Sequence, residues 1–152
     1  EGQYDHDAAV ISFRGGIPSG FVATPIDNDK YANYGDRKVF VYGFGRLNDY
    51  SGIVGEDTYQ KIGTLRRGEM IIDSIYNQFA DRYYTSLSTR TQLCQGDSGG
   101  PQFLEKNGVA IQVGINSAVE GPTLPNGHRS CKGPSHVTKV AYMYDWIMKQ
   151  IR

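Results

Sequence analysis

A serine hydroxyl is a poor nucleophile until a base removes its proton and donors stabilise the oxyanion formed on the substrate. One stretch of this 152-residue chain has the residue types for that chemistry: Cys94-Gln95-Gly96-Asp97-Ser98-Gly99-Gly100-Pro101. Glycines flanking the serine let the backbone turn sharply and aim N–H groups inward with no side chain in the way. A bare Gly-x-Ser-x-Gly is weak evidence and would fit an ordinary surface turn. The unbroken string from Gly96 to Pro101 fixes every position in turn, and coincidence is a poor account of it.

The elements that must hold this serine are mostly strands. Nineteen glycines and eleven tyrosines favour a turn-rich β protein over a helical bundle. Ala8 to Phe13 is an apolar run ending at Arg14-Gly15-Gly16 and reads as a buried strand. Residues 15–36 are rich in Gly, Pro, Asp and Asn, as a connector would be. Val39 to Tyr42 is strand-like and stops at Gly43-Phe44-Gly45, and Lys61 to Ile75 reads as strand slightly ahead of helix. Phe103 to Ile111 predicts a hairpin turning at Asn107-Gly108, where both φ angles must be positive. Val113 to Ser117 extends its second strand. Only the C-terminus is helical, with Val140, Met143, Tyr144, Ile147 and Ile151 striping one face.

Two kinds of enzyme place a serine in such a string. The nucleophile elbow of α/β-hydrolases must open into a helix, with an acid and then a histidine downstream, an order Glu120 with His128 or His136 would satisfy. Here Gly99-Gly100-Pro101 leads into the Asn-Gly hairpin, and no oxyanion motif of the His-Gly-Gly-Gly type precedes it. The whole string Cys94 to Pro101 instead resembles, unaltered, the serine motif of the chymotrypsin/trypsin family. Further landmarks follow in the family's order. Asp7-Ala8-Ala9-Val10-Ile11 resembles the segment that carries the acid of the catalytic triad, and Gly43-Phe44-Gly45 the Gly-Trp-Gly that opens the second barrel. Pro134 to Val140, then Tyr144-Asp145-Trp146-Ile147, resembles the family's last strand and terminal helix.

The resemblance implies an all-β, chymotrypsin-like double β-barrel. Residues 1–14 would end the first barrel, 15–36 connect the barrels, 37–139 form the second, and 140–152 the helix. It also implies a secreted serine endopeptidase acting through a Ser-His-Asp triad and an acyl-enzyme. Ser98 would be the nucleophile, Asp7 the acid, and the amides of Gly96 and Ser98 the oxyanion hole. Asp97 resembles the residue whose carboxylate pairs with the α-amino group freed when a zymogen is cleaved. Cys94 and Cys131 fit no zinc spacing, and spacing alone leaves open a disulfide or two buried thiols. The resemblance implies the disulfide, and with it an extracellular location.

The base is the departure. The family's order along the chain is His, Asp, Ser, so the histidine must precede Asp7. Only His6 does, and neighbours on an extended segment point to opposite faces. His128 and His136 follow Ser98 and read as loop and strand residues. The expected partner is therefore an N-terminal chain or segment of the same protease that carries the histidine and the roughly 80 to 100 residues of first barrel not seen here. Gly52-Ile53-Val54-Gly55 resembles an activation site but follows Asp7, so it reads as a loop.

Substrate-binding positions fall at Gln92, Leu93, Gln95, Ser117, Ala118, Val119 and Ser135. Gln92 stands at the pocket floor where trypsin-like enzymes have an aspartate, and Val119 and Ser135 replace glycines. A small or medium uncharged residue before the scissile bond is the expectation, unless Glu120 folds inward and restores a basic preference. The alternative class is a catalytically inactive homologue acting as a binding or adaptor protein, which an altered residue at the missing histidine position would produce. No cofactor or metal is expected. Equal numbers of acidic and basic residues give no footprint for nucleic acid or anionic membrane. Mean hydropathy is −0.47, and no apolar run approaches the roughly 18 residues of a membrane span.

Overall fold

The computed structural model describes residues 6–47, 49, 62–75, 79–87 and 91–151. Their strands are β1 (Lys38–Gly43), β2 (Arg66–Ile71), β3 (Arg82–Tyr84), β4 (Pro101–Lys106), β5 (Val109–Val119) and β6 (Ser135–Lys139), followed by helix α1 (Val140–Gln150). They form one six-stranded sheet in the order β2-β1-β4-β5-β6-β3, with every pairing between these strands antiparallel. The sheet's two ends meet just past β2 and β3, where Ile72 pairs with Thr85. Asp73 donates to the Tyr84 carbonyl at 2.8 Å and Ser86 to that of Ile71 at 2.7 Å. The sheet is thus a closed barrel with no free edge along that seam.

Alternation sets the inside. In β1, Val39 and Val41 are buried while Phe40 and Tyr42 are half-buried. Met70, Ile72, Tyr83, Val113 and Val137 complete a dry interior, each no more than 1% exposed. Asn107 and Gly108 turn the β4–β5 hairpin with φ of 54° and 76°, as the Asn-Gly pair predicts. The Lys61 to Ile75 stretch is strand over β2. Strand β3 escaped sequence reading because three residues are too few to show alternation.

One polar chain crosses the interior. The Tyr83 hydroxyl donates to Gln102 Oε1 (3.0 Å), Gln102 Nε2 to Asn116 Oδ1 (2.9 Å), and Asn116 Nδ2 to the Asp97 carbonyl (3.1 Å). Each buried donor finds an acceptor, so the chain joins the far wall of the barrel to the loop that carries Ser98. Burial also holds the Tyr83 phenol well above its usual range.

The strand expected at Ala8 to Phe13 is not there: the segment pairs with no described strand, and Ile11 and Phe13 are 84% and 72% exposed. Apolar character alone does not make a strand; a pairing partner does, and no described strand runs beside this one. Residues 15–36 lie outside the six strands and are pinned where Ile26 bridges Gln112 and the Tyr34 hydroxyl donates to the Asp27 carboxylate. Helix α1 packs against β5. Of its predicted stripe Val140 is buried, Met143, Tyr144 and Ile147 are half-buried, and Ile151 lies past the end, exposed.

Candidate active site

Strand β5 changes register against β6 between Asn116, paired with Val137, and Ala118, paired with His136. Ser117 sits in that bulge, outside the ladder, where its groups are re-aimed. Its hydroxyl donates to Asp7 Oδ2 at 2.7 Å, and its carbonyl accepts a long bond, 3.4 Å, from the Ser98 hydroxyl. One bulge residue thus binds the two side chains that the sequence nominated as acid and nucleophile.

The loop before β4 is tied from three sides. Asp97 accepts Gly45 N–H at Oδ1 (2.9 Å) and Cys94 N–H at Oδ2 (3.0 Å). Gly43 and Gly45 leave space for that carboxylate: a Cβ on Gly45 would stand 2.6 Å from Asp97 Oδ1, and one on Gly43 would clash harder. The amides of Asp97, Gly99 and Gly100 donate to the carbonyls of Cys94, Asn116 and Asp97. Those of Gly96 and Ser98 make no hydrogen bond among the described residues. Gly96 has φ +97°, a conformation open to glycine and strained for other residues. The two amides left without an acceptor are the two expected to face an oxyanion.

A cavity of about 190 Å³ opens beside Ser98, lined in part by Leu93, Gln95, Ser117, Ala118, Val119 and Arg129. Gln92 and Ser135 are not among its lining residues. Gln92 lines a different cavity, about 300 Å³, together with Gly43, Gly45 and Asp97. Ser135 is fully buried and does not line the Ser98 cavity; its N–H donates to Thr85 Oγ1 at 3.0 Å. Glu120 is exposed and off the lining, with its N–H bonded to the Pro134 carbonyl.

Cys94 and Cys131 are joined as a disulfide. It ties down the loop of residues 120–132, whose two arms bridge at Thr123 and Arg129. Asp49 secures the same corner, accepting the Ser130 hydroxyl and the Cys131 N–H. Arg129 went unnoticed in the sequence because this loop carries none of the landmarks quoted above.

None of the three histidines lines the Ser98 cavity. His6 stacks on Tyr142 of α1 (centroids 5.4 Å apart), His136 stacks on Tyr84 inside the barrel wall, and His128 is exposed on the loop between β5 and β6. Gly52 to Gly55 lie outside the described residues. Among the described residues no cluster of His, Cys, Asp or Glu could hold a metal, and no helix is long and apolar enough to cross a membrane.

Comparison with known proteins agrees with this geometry. The chain is 44% identical over 63 residues to the hepatocyte growth factor activator serine proteases of Mus musculus and Homo sapiens, covering 41% of this chain and 9% of each of them. It is 41% identical over 54 residues to a Mus musculus tryptase, covering 36% of this chain and 18% of the tryptase. The match therefore spans a small part of these relatives' length. The family model for trypsin matches residues 1–147, nearly the whole chain, and the chain belongs to the trypsin family.

Proposed function

We propose that this chain carries the nucleophile and triad acid of a secreted serine endopeptidase, whose histidine comes from a segment outside it. The observation that carries the reading is Ser117, which holds Asp7 at its hydroxyl and Ser98 at its carbonyl. An imidazole entering between Asp7 and Ser98 would take the Ser98 proton as the hydroxyl attacks the peptide carbonyl. The oxyanion would draw hydrogen bonds from the idle amides of Gly96 and Ser98. The imidazolium, stabilised by Asp7, would then protonate the leaving amine, and water would release the acyl group from Ser98 by the same steps.

Asp7 is exposed, as are Ile11, Phe13, Phe21 and Val22, each at least 72%. Such a row of apolar side chains is suited to a covering partner, and the histidine-bearing segment is the partner whose position the triad demands. The 300 Å³ cavity beside Asp97 is where an α-ammonium freed by zymogen cleavage would meet that carboxylate. The disulfide fits an oxidising, extracellular setting.

The test is active-site labelling of the assembled protein with a fluorophosphonate. Ser98 is expected to be the residue modified, and Ser98→Ala to lose both labelling and peptide hydrolysis. Intact Ser98 that resists the reagent in the presence of the histidine-bearing segment would leave a binding role as the better account.

A further inference from the structure

We propose that Arg129 makes the Ser98 cavity selective for an acidic residue immediately before the scissile bond. The inference rests on the serine endopeptidase reading above and names its substrate class. The sequence alone favoured an uncharged residue there, because Arg129 was not counted.

The charge inventory of the cavity decides the sign. Two of its lining residues are ionic, Asp97 and Arg129. Asp97 faces two backbone N–H groups, one on each oxygen, and is already engaged. Arg129 makes no ion pair among the described residues. Its Nη1 donates to the Gly121 carbonyl at 3.3 Å, which leaves most of the guanidinium's N–H groups for a ligand. No carboxylate in this lining is free to accept a substrate's Lys or Arg, since Asp97 is engaged on both oxygens and Glu120 stands off the lining. A basic side chain entering here would meet Arg129 as a like charge, whereas a carboxylate would meet a planar donor edge that can bind it bidentately.

Arg129 is also held in place rather than left on a wandering loop. Its backbone bridges Thr123, and its carbonyl accepts Gln95 Nε2 at 2.9 Å. Leu124 N–H reaches the His128 carbonyl, Ser130 N–H reaches that of Pro122, and the next residue but one is the disulfide's Cys131. A cation fixed in this way loses little freedom on binding, which favours selectivity. Leu93 and Val119 line the same cavity and offer apolar surface to a ligand's methylenes.

The test uses the assembled, histidine-containing protein and a peptide series differing only before the scissile bond: Glu, Asp, Gln, Ala and Arg. Glu is expected to exceed its isostere Gln in kcat/KM by about 10-fold, the worth of one charge-assisted interaction near solvent. Arg129→Gln should bring that ratio to about one, and Arg129→Lys should restore part of it. A native ratio at or below one, or a ratio indifferent to Arg129→Gln in protein of unchanged melting temperature, overturns the proposal. Binding of product peptides ending in Glu or Gln to Ser98→Ala protein reads the pocket without catalysis. Preference for the Glu product with no hydrolysis of any peptide would sink the endopeptidase reading and keep the pocket assignment. Hydrolysis with no preference would do the reverse.

Discussion

Ser117 donates its hydroxyl proton to Asp7 at 2.7 Å, joining residues 110 positions apart in the chain. Asp7 stands on a segment in no strand, so this bond is one of the ties that bring its carboxylate to the strand that also meets Ser98. The neighbouring His6 supplies another by stacking on Tyr142.

Asp7→Asn should therefore fold normally yet turn over about 10⁴-fold more slowly, a magnitude carried over from this family's triad, because the amide would favour the wrong imidazole tautomer. Circular dichroism together with kcat on any cleaved peptide checks it. Unchanged turnover would remove Asp7 from the triad.

Ser117→Ala removes one hydrogen bond to an exposed carboxylate but keeps the backbone carbonyl that faces Ser98. A fall of about 10-fold in kcat, with KM little changed, is the expected result. Loss of folding instead would mean that Ser117 serves the bulge more than the acid.

Gly45→Ala would drive a methyl into the Asp97 carboxylate, 2.6 Å from Oδ1, and break the bond from the Gly45 amide. Displacement of Asp97 should disturb Gly96 and Ser98, and fluorophosphonate labelling should slow more than melting temperature drops. Wild-type labelling rates in this variant would show that the loop holds without that carboxylate.

Asn116→Ala cuts the interior polar chain in two places: Gln102 Nε2 loses its acceptor, while the Asp97 carbonyl keeps the Gly100 N–H. An orphaned buried group costs about 1–3 kcal/mol and the second lost bond about 1 kcal/mol more, which denaturant titration should show. Tyr83→Phe strands only Gln102 Oε1 and should cost about 1–2 kcal/mol. The order of the two losses is the informative result.

Reduction of the Cys94–Cys131 disulfide frees the wall that carries Arg129. Stability should fall by about 2–5 kcal/mol, measured as the shift in urea unfolding with and without reductant. Discrimination between Glu and Gln substrates should fade with it.

What the sequence showed and what it hid divide along local and non-local lines. Asn107-Gly108 dictates its own turn through φ, and Gly96 to Pro101 writes the serine loop residue by residue, so both were readable. The stripe from Val140 to Ile147 gave the helix. Ala8 to Phe13 misled because hydrophobicity says what a segment needs and not whether a neighbour is present. Gln92 was assigned to the pocket floor by counting back from Ser98; it lines the cavity beside Gly43 and Gly45, and Leu93 and Asp97 line both cavities. The bulge at Ser117 depends on how β5 meets β6, which no stretch of either strand reveals by itself.

That bulge ties the reactive geometry to parity. Side chains in a ladder alternate between faces, and the irregularity between Asn116 and Ala118 resets the count by one. Deleting a single residue there would leave both strands paired while turning Ser117's successor toward Asp7 and rotating the cavity wall out of phase. Substitutions at Ala118 and Val119 would alter the cavity's lining, whereas a change in residue number would misplace it.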